Sequence, residues 1–146
     1  RMEFKGYLKN CPVRVPVYDD FGHHPSEIRT TLEGAHRIQS SAGGGRLRCV
    51  YQPHTYSRTA ELFEDFVTAF DNCDEVFFAD IYAARETNTY GVSSAQIAER
   101  IPHAVYAPDW NALRDHLCRT AEAGDLLLIM GAGDIAKFAD SVAEKA

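Results

Sequence analysis

The chain is poor in several things, and each shortage excludes something. Its 146 residues hold one Trp and two Met, and 15 Lys and Arg are outnumbered by 21 Asp and Glu, for a formal charge of -6. A deficit of cations argues against wholesale grip on a phosphate backbone, so nucleic acid is not an expected partner. It leaves room for a small anion held by a few placed Arg and His. Long apolar runs are missing too. The longest, near "EVFFADI" and "DLLLIMG", are far too short to span a bilayer, so no membrane partner is expected. No basic-then-apolar leader precedes them. The four cysteines, Cys11, Cys49, Cys73 and Cys118, form no C-x-x-C pair. Three lie in or beside apolar runs and read as small core residues, which fits a reducing, cytoplasmic setting. H-E-x-x-H, G-x-S-x-G and the phosphate cradle G-x-x-x-x-G-K-[ST] are all absent. A zincin, a nucleophile-elbow hydrolase and a self-sufficient P-loop enzyme each lose their signature.

What is present is a rhythm. With 45% hydrophobic residues, the chain is long enough for one domain with a real core. "MEFKGYL" and "VRVPVYD" read as an early antiparallel pair, with Pro16 placing the second at an edge. Helix and strand then alternate. "PSEIRTTLEGAHRI" is helical, with Pro25 at its first position, and Ser40 to Gly45 is a loop. "RLRCVYQ" is a strand. "SRTAELFEDFVTAFDN" is one helix capped by Ser57, and "DEVFFADIY" is a strand covered on both faces. "SSAQIAERI" carries a capping box at Ser93 and Gln96. "HAVYA" is a short strand, followed by a helix capped by Asp109 with Trp110, Leu113 and Leu117 inward. "DLLLIMG" is the last strand. The last helix, "DIAKFADSVAEK", packs through Ile135, Phe138, Ala139 and Val142. The pattern predicts an α/β fold: a three-layer Rossmann-like domain whose mostly parallel sheet of about six strands carries helices on both faces. Ligands of such folds bind where strands end and helices begin.

Three of those junctions are loaded with chemistry. In "DDFGHHPSE", Asp19 or Asp20 can accept both hydroxyls of a ribose diol, while His23 and His24 can meet an anion or move a proton. The plainer reading is a capped helix behind solvated histidines. In "YQPHTYSRT", His54 and Arg58 stand by a helix N-terminus, where N–H groups and the macrodipole favour anions. Arg58 can clamp a carboxylate or phosphate with two parallel bonds; an ordinary exposed Arg is the competing reading. In "MGAGDIAKF", Gly131 and Gly133 permit a sharp turn. Asp80, Tyr82 and Glu86 in "DIYAARETNTYGVSS" can line the same edge, or simply form a surface loop. A metal site on His23, His24, His54 and the Asp pair is disfavoured, because adjacent histidines point apart in extended chain.

Taken in order, "RMEF", "DDFGHHPSEI", "YQPHTYSRT", "DIYAARE" and "GAGDI" resemble the C-terminal domain of the Mur ligase family, in the branch that adds L-alanine to UDP-N-acetylmuramate. The resemblance runs over nearly the whole chain. It implies that residues 1–146 are the last of three domains. The N-terminal domain would hold the UDP-sugar, and a central one the P-loop and the Mg2+ ligands. These two domains, L-alanine, UDP-N-acetylmuramate and ATP would be the partners. Arg1 is similar to the arginine that reaches the ATP phosphates, and Asp20 to the carboxylate on the ATP ribose. Phe21 stands where the pattern usually has Tyr, which leaves stacking only. His23 and Arg58 resemble residues near the alanine and its carboxylate, with His24, His54 and Glu86 as neighbours. Thr55 occupies a position that is often Arg. A chain that opens on Arg1 rather than Met fits a domain cut from a longer enzyme, inactive alone. Two other readings remain: a nucleotide-binding regulatory module without chemistry, and the domain of a murein peptide recycling ligase.

Overall fold

The computed structural model describes residues 1–145. The strands are β1 (Glu3–Leu8), β2 (Pro16–Asp20), β3 (Leu47–Tyr51), β4 (Glu75–Phe78), β5 (Ala104–Tyr106), β6 (Leu126–Met130) and β7 (Ala143–Glu144). The helices are α1 (Pro25–Ser41), α2 (Tyr56–Glu61), α3 (Phe63–Thr68), α4 (Ser94–Glu99), α5 (Trp110–Arg119) and α6 (Ile135–Val142). One seven-stranded sheet runs in the order β5-β4-β3-β6-β2-β1-β7. β2, β6, β3, β4 and β5 are mutually parallel, and β1 is antiparallel to both β2 and β7.

The central strands explain the layering. Every residue of β3 and β6 is buried, as expected where helices cover both faces. Successive side chains alternate between those faces. Leu126, Leu128 and Met130 join Ile28, Leu32, Phe66 and Ile97 on one side, while Leu127 and Ile129 join Leu113, Leu117, Ile135 and Phe138 on the other. The end of the sheet away from the helix-entry loops is tied by charge. Arg46 donates to both oxygens of Asp125, at 3.1 and 2.6 Å. Arg48, almost fully buried in β3, donates to Glu75 at 2.7 Å and to the Thr120 hydroxyl at 2.8 Å.

Several sequence expectations are corrected. β2 is interior, between β6 and β1; Pro16 is tolerated because it is the strand's first residue, where a missing N–H breaks little. The predicted single helix from Ser57 divides into α2 and α3 at Leu62, and its N-cap is Thr55 rather than Ser57. α1 runs on to Ser41, into the expected loop. α6 stops at Val142, because residues 143–144 turn out as β7 and pair with β1. That seventh strand is the one missed. Trp110 is half-buried, packing at the rim of the core on Phe138.

Candidate functional site

β2, β3, β4 and β6 all deliver their carboxyl ends to one edge of the sheet, so the loaded loops meet there. Asp20 closes β2. Its Oδ2 accepts from the Gly22 N–H at 2.8 Å and from the Thr31 hydroxyl at 3.3 Å. Its Oδ1 is buried without a hydrogen-bond partner of acceptable geometry; the α-amino group of Arg1 stands 2.6 Å away as an ion pair. Asp19 alternates to the other side of the strand and faces Lys5 at 4.0 Å. Gly22 is required by this arrangement, since a Cβ there would come within 2.8 Å of Asp20 Oδ2.

The next residues make the mouth. Phe21 is 68% exposed. His23 Nδ1 lies 3.2 Å from the Phe21 carbonyl. A carbonyl only accepts, so a neutral His23 carries its proton on Nδ1 and keeps Nε2 as a lone pair. His24 is the N-cap of α1: its Nδ1 accepts from the Ser26 N–H at 3.1 Å. Glu27 completes the box by accepting from the N–H groups of His23 and His24, at 3.1 and 3.0 Å. These two backbone bonds hold the Glu27 carboxyl below its ordinary range. The Tyr51 hydroxyl, from the end of β3, donates to the His23 carbonyl at 2.7 Å and fixes the loop from below.

The second loop leans on the first. The His54 ring lies 5.5 Å from that of His23 and stacks on Tyr82 at 5.5 Å. Its Nδ1 is buried with no hydrogen-bond partner. Burial, then the nearby His23 and Arg58, push the His54 imidazole below its ordinary value, which favours its neutral form. Arg58 stands in the first turn of α2, close enough to Tyr51 and His54 to bias their charge, and enters no ion pair among the described residues. Thr55 caps α2 by accepting from the Arg58 N–H at 3.3 Å, at the cost of a backbone with φ 66° and ψ 146°. That region is essentially reserved for glycine. Glu86 serves the same helix end, accepting from both the N–H and the hydroxyl of Ser57.

Gln52 locks the remaining loops together. Buried at 5% exposure, it accepts from the Ile135 N–H at 3.0 Å. It donates to Asp134 Oδ1 at 2.9 Å and to the Asp80 carbonyl at 3.2 Å. Gly133 leaves the space this needs: a Cβ would approach Gln52 Oε1 to 2.8 Å. Gly131, at φ 154°, donates its N–H to the Asp20 carbonyl at 3.0 Å.

Arg1, Asp20, Phe21 and His23 thus line one cavity of about 560 Å³, with Glu27 and Thr31. His54 touches it through His23. Arg58 does not line it, and His24 is absorbed into capping α1. Sequence reasoning missed Glu27, Thr31, Tyr51 and Gln52. The H-x-x-E spacing of His24 and Glu27 was a readable signal for a capping box; nothing local marked the other three.

The strand ends of this α/β domain bring a buried carboxylate, a His pair and Arg58 to one edge of the sheet. The chain belongs to the Mur ligase family: residues 1–133 match the family model for the Mur ligase glutamate ligase domain. It is 42% identical over 137 residues to UDP-N-acetylmuramate–L-alanine ligase of Clostridium botulinum, covering 91% of this chain and 29% of that protein. With the enzyme of the same name from Mycolicibacterium paratuberculosis it shares 45% over 122 residues, or 83% of this chain and 25% of the relative. The chain therefore spans under a third of the relatives it matches. Among solved structures, it is similar to a domain attributed to a UDP-N-acetylmuramate:L-alanyl-gamma-D-glutamyl-meso-diaminopimelate ligase from Haemophilus ducreyi. That similarity has a TM-score of 0.66 and 23% identity, over 97% of this chain and 95% of that one. A bifunctional folylpolyglutamate synthase/dihydrofolate synthase from Yersinia pestis, complexed with AMPPNP and Mn, shares the fold at TM-score 0.59 and 18% identity, over 92% of this chain and 29% of that one.

Proposed function

We propose that this chain is the ATP-ribose and L-alanine wall of an ADP-forming ligase that joins L-alanine to UDP-N-acetylmuramate in cytoplasmic peptidoglycan precursor synthesis. The observation that carries the reading is Asp20 Oδ1. It is a buried carboxylate oxygen that meets only the α-amino group of Arg1, at 2.6 Å, beside a cavity of nucleoside size. In the proposed complex a ribose hydroxyl donates to that oxygen in place of the α-amino group. Phe21 offers an open ring face for stacking, and Arg1 a cation for the phosphates.

In the proposed reaction the sugar acid's carboxylate takes the terminal phosphoryl group of ATP, and the alanine amine displaces phosphate from the acyl phosphate. The first step brings two anions together, so cations and helix ends should ring the site. Arg58, with no ion-pair partner among the described residues, is the cation proposed for the carboxylate of alanine. The amine must attack uncharged, and the Nε2 lone pair of His23, beside a neutral His54, can take its proton. Holding amine and acyl phosphate in one cavity removes much of the entropic barrier. Closure of this domain over its partners excludes water that would hydrolyse the intermediate.

This chain's residues do not fit a metal ion: no group of three or more His, Cys, Asp and Glu among the described residues is arranged to hold one. Mg2+ is assigned to the central domain of the full enzyme, with the phosphate cradle that this sequence lacks. The chain alone should not ligate. The test is to mix it with separately made N-terminal and central domains and follow alanine-dependent ADP release. Release that requires both pieces supports the proposal. Association without release, or release driven by a murein tripeptide and not by alanine, overturns it.

A further inference from the structure

Far from the ligand edge, two cysteines come together from opposite ends of the sequence. Cys11 lies in the connection between β1 and β2, just after Asn10, which turns the chain at φ 55°. Cys118 lies in the last turn of α5. Their contacts interlock: Cys118 Sγ donates to the Asn10 carbonyl at 2.6 Å, and Cys11 Sγ reaches the Cys118 carbonyl at 3.9 Å. Each thiol therefore points at the backbone of the other's segment. Both residues are partly exposed, whereas Cys49 and Cys73 are buried.

We propose that Cys11 and Cys118 form a modification site, a dithiol that closes to an intramolecular disulfide by exchange with a small-molecule disulfide such as oxidised glutathione. Each sulfur already lies against the backbone of the other's segment, so rotation about χ1 turns the two sulfurs toward each other. One thiolate attacks oxidised glutathione, forming a mixed disulfide and releasing one glutathione. The second thiolate displaces the other glutathione and forms the Cys11–Cys118 bond. Two electrons pass to glutathione, and the two thiol protons end on the two glutathione molecules released. Burial, then the neighbouring Cys11, pushes the Cys118 thiol above its ordinary value, so exchange is slow. The bond would staple the β1–β2 connection to the α5 layer, at the end of β2 opposite Asp20. It closes a loop of over a hundred residues, long enough to restrict the unfolded chain strongly.

The test treats the folded chain with oxidised glutathione, alkylates the remaining thiols and maps the peptides. Two of the four thiols should disappear. The Cys11 and Cys118 peptides should be joined with no glutathione retained, and the melting temperature should rise by roughly 5 °C or more. Cys11→Ser and Cys118→Ser should each stop at a mixed disulfide. Two retained glutathiones on a folded chain, no reaction at either residue, or a link through Cys49 or Cys73 would overturn the proposal. Buried Cys73, its thiol pushed up to about 12, is the internal control.

Discussion

Replacing Gln52 tests how the loops are locked. Its amide makes three hydrogen bonds from a buried position, to Ile135, Asp134 and Asp80. Gln52→Met keeps the length of the side chain and removes all three. Two neutral bonds at about 1 kcal/mol each, and one to the Asp134 carboxylate at about 2, give a loss of roughly 4 kcal/mol. At this chain length that lowers the melting temperature by roughly 10 °C. Gln52→Glu keeps the acceptor for the Ile135 N–H. It deletes both donors and sets a second carboxylate against Asp134, so at pH 7 it should destabilise at least as much as Met. Its deficit should shrink near pH 4, where one proton between the two carboxyls restores a bond; Met's should not. Urea unfolding followed by circular dichroism at both pH values measures this. Variants within about 0.5 kcal/mol of the parent, or a Glu deficit indifferent to pH, refute the interlock.

Two further changes probe other parts of the account. Thr55→Gly should raise stability by about 1 kcal/mol, since relief of the backbone strain outweighs the few tenths lost with the hydroxyl cap; a lower urea midpoint would contradict that. For Asp125, burial works upward, but its hydrogen bonds with Arg46 and the backbone prevail and hold the carboxyl below an aspartate's ordinary 3.8. Its contribution is therefore present above that pH and lost as pH falls through the lower folded value. Asp125→Asn should lose stability at pH 6, and its gap from the parent should narrow as pH falls below the ordinary carboxylate range. A constant gap would mean that the charge is not the stabilising feature.

Much of the layering was legible because burial imposes period. "DEVFFADIY" read as a strand covered on both faces, and β4 is buried from Val76 to Phe78; Leu113 and Leu117 of α5 and the Ile135, Phe138, Ala139 and Val142 stripe of α6 face the core as their spacing said. What failed was decided elsewhere in the fold. Pro16 looked like an edge residue, but position within the strand mattered more than the strand's place in the sheet. No breaker marks Leu62, so the division of α2 from α3 had no local sign. β7 is two residues that became a strand only because β1 offered an open edge. At the site, residue types were readable and partners were not. His24 looked like chemistry and caps a helix, whereas Gln52 looked inert and joins three loops that the chain separates widely.

The account's central claim is that Asp20, Phe21 and His23 form a nucleoside-binding wall. Its most direct test is a two-dimensional amide NMR titration of the folded chain with ATP. Shifts should concentrate at Gly22, His23 and Thr31, around the Asp20 carboxylate, and should fall away in Asp20→Asn. Undisturbed signals at those residues, or a response centred on the far β5 edge at Val105 and Tyr106, would contradict it.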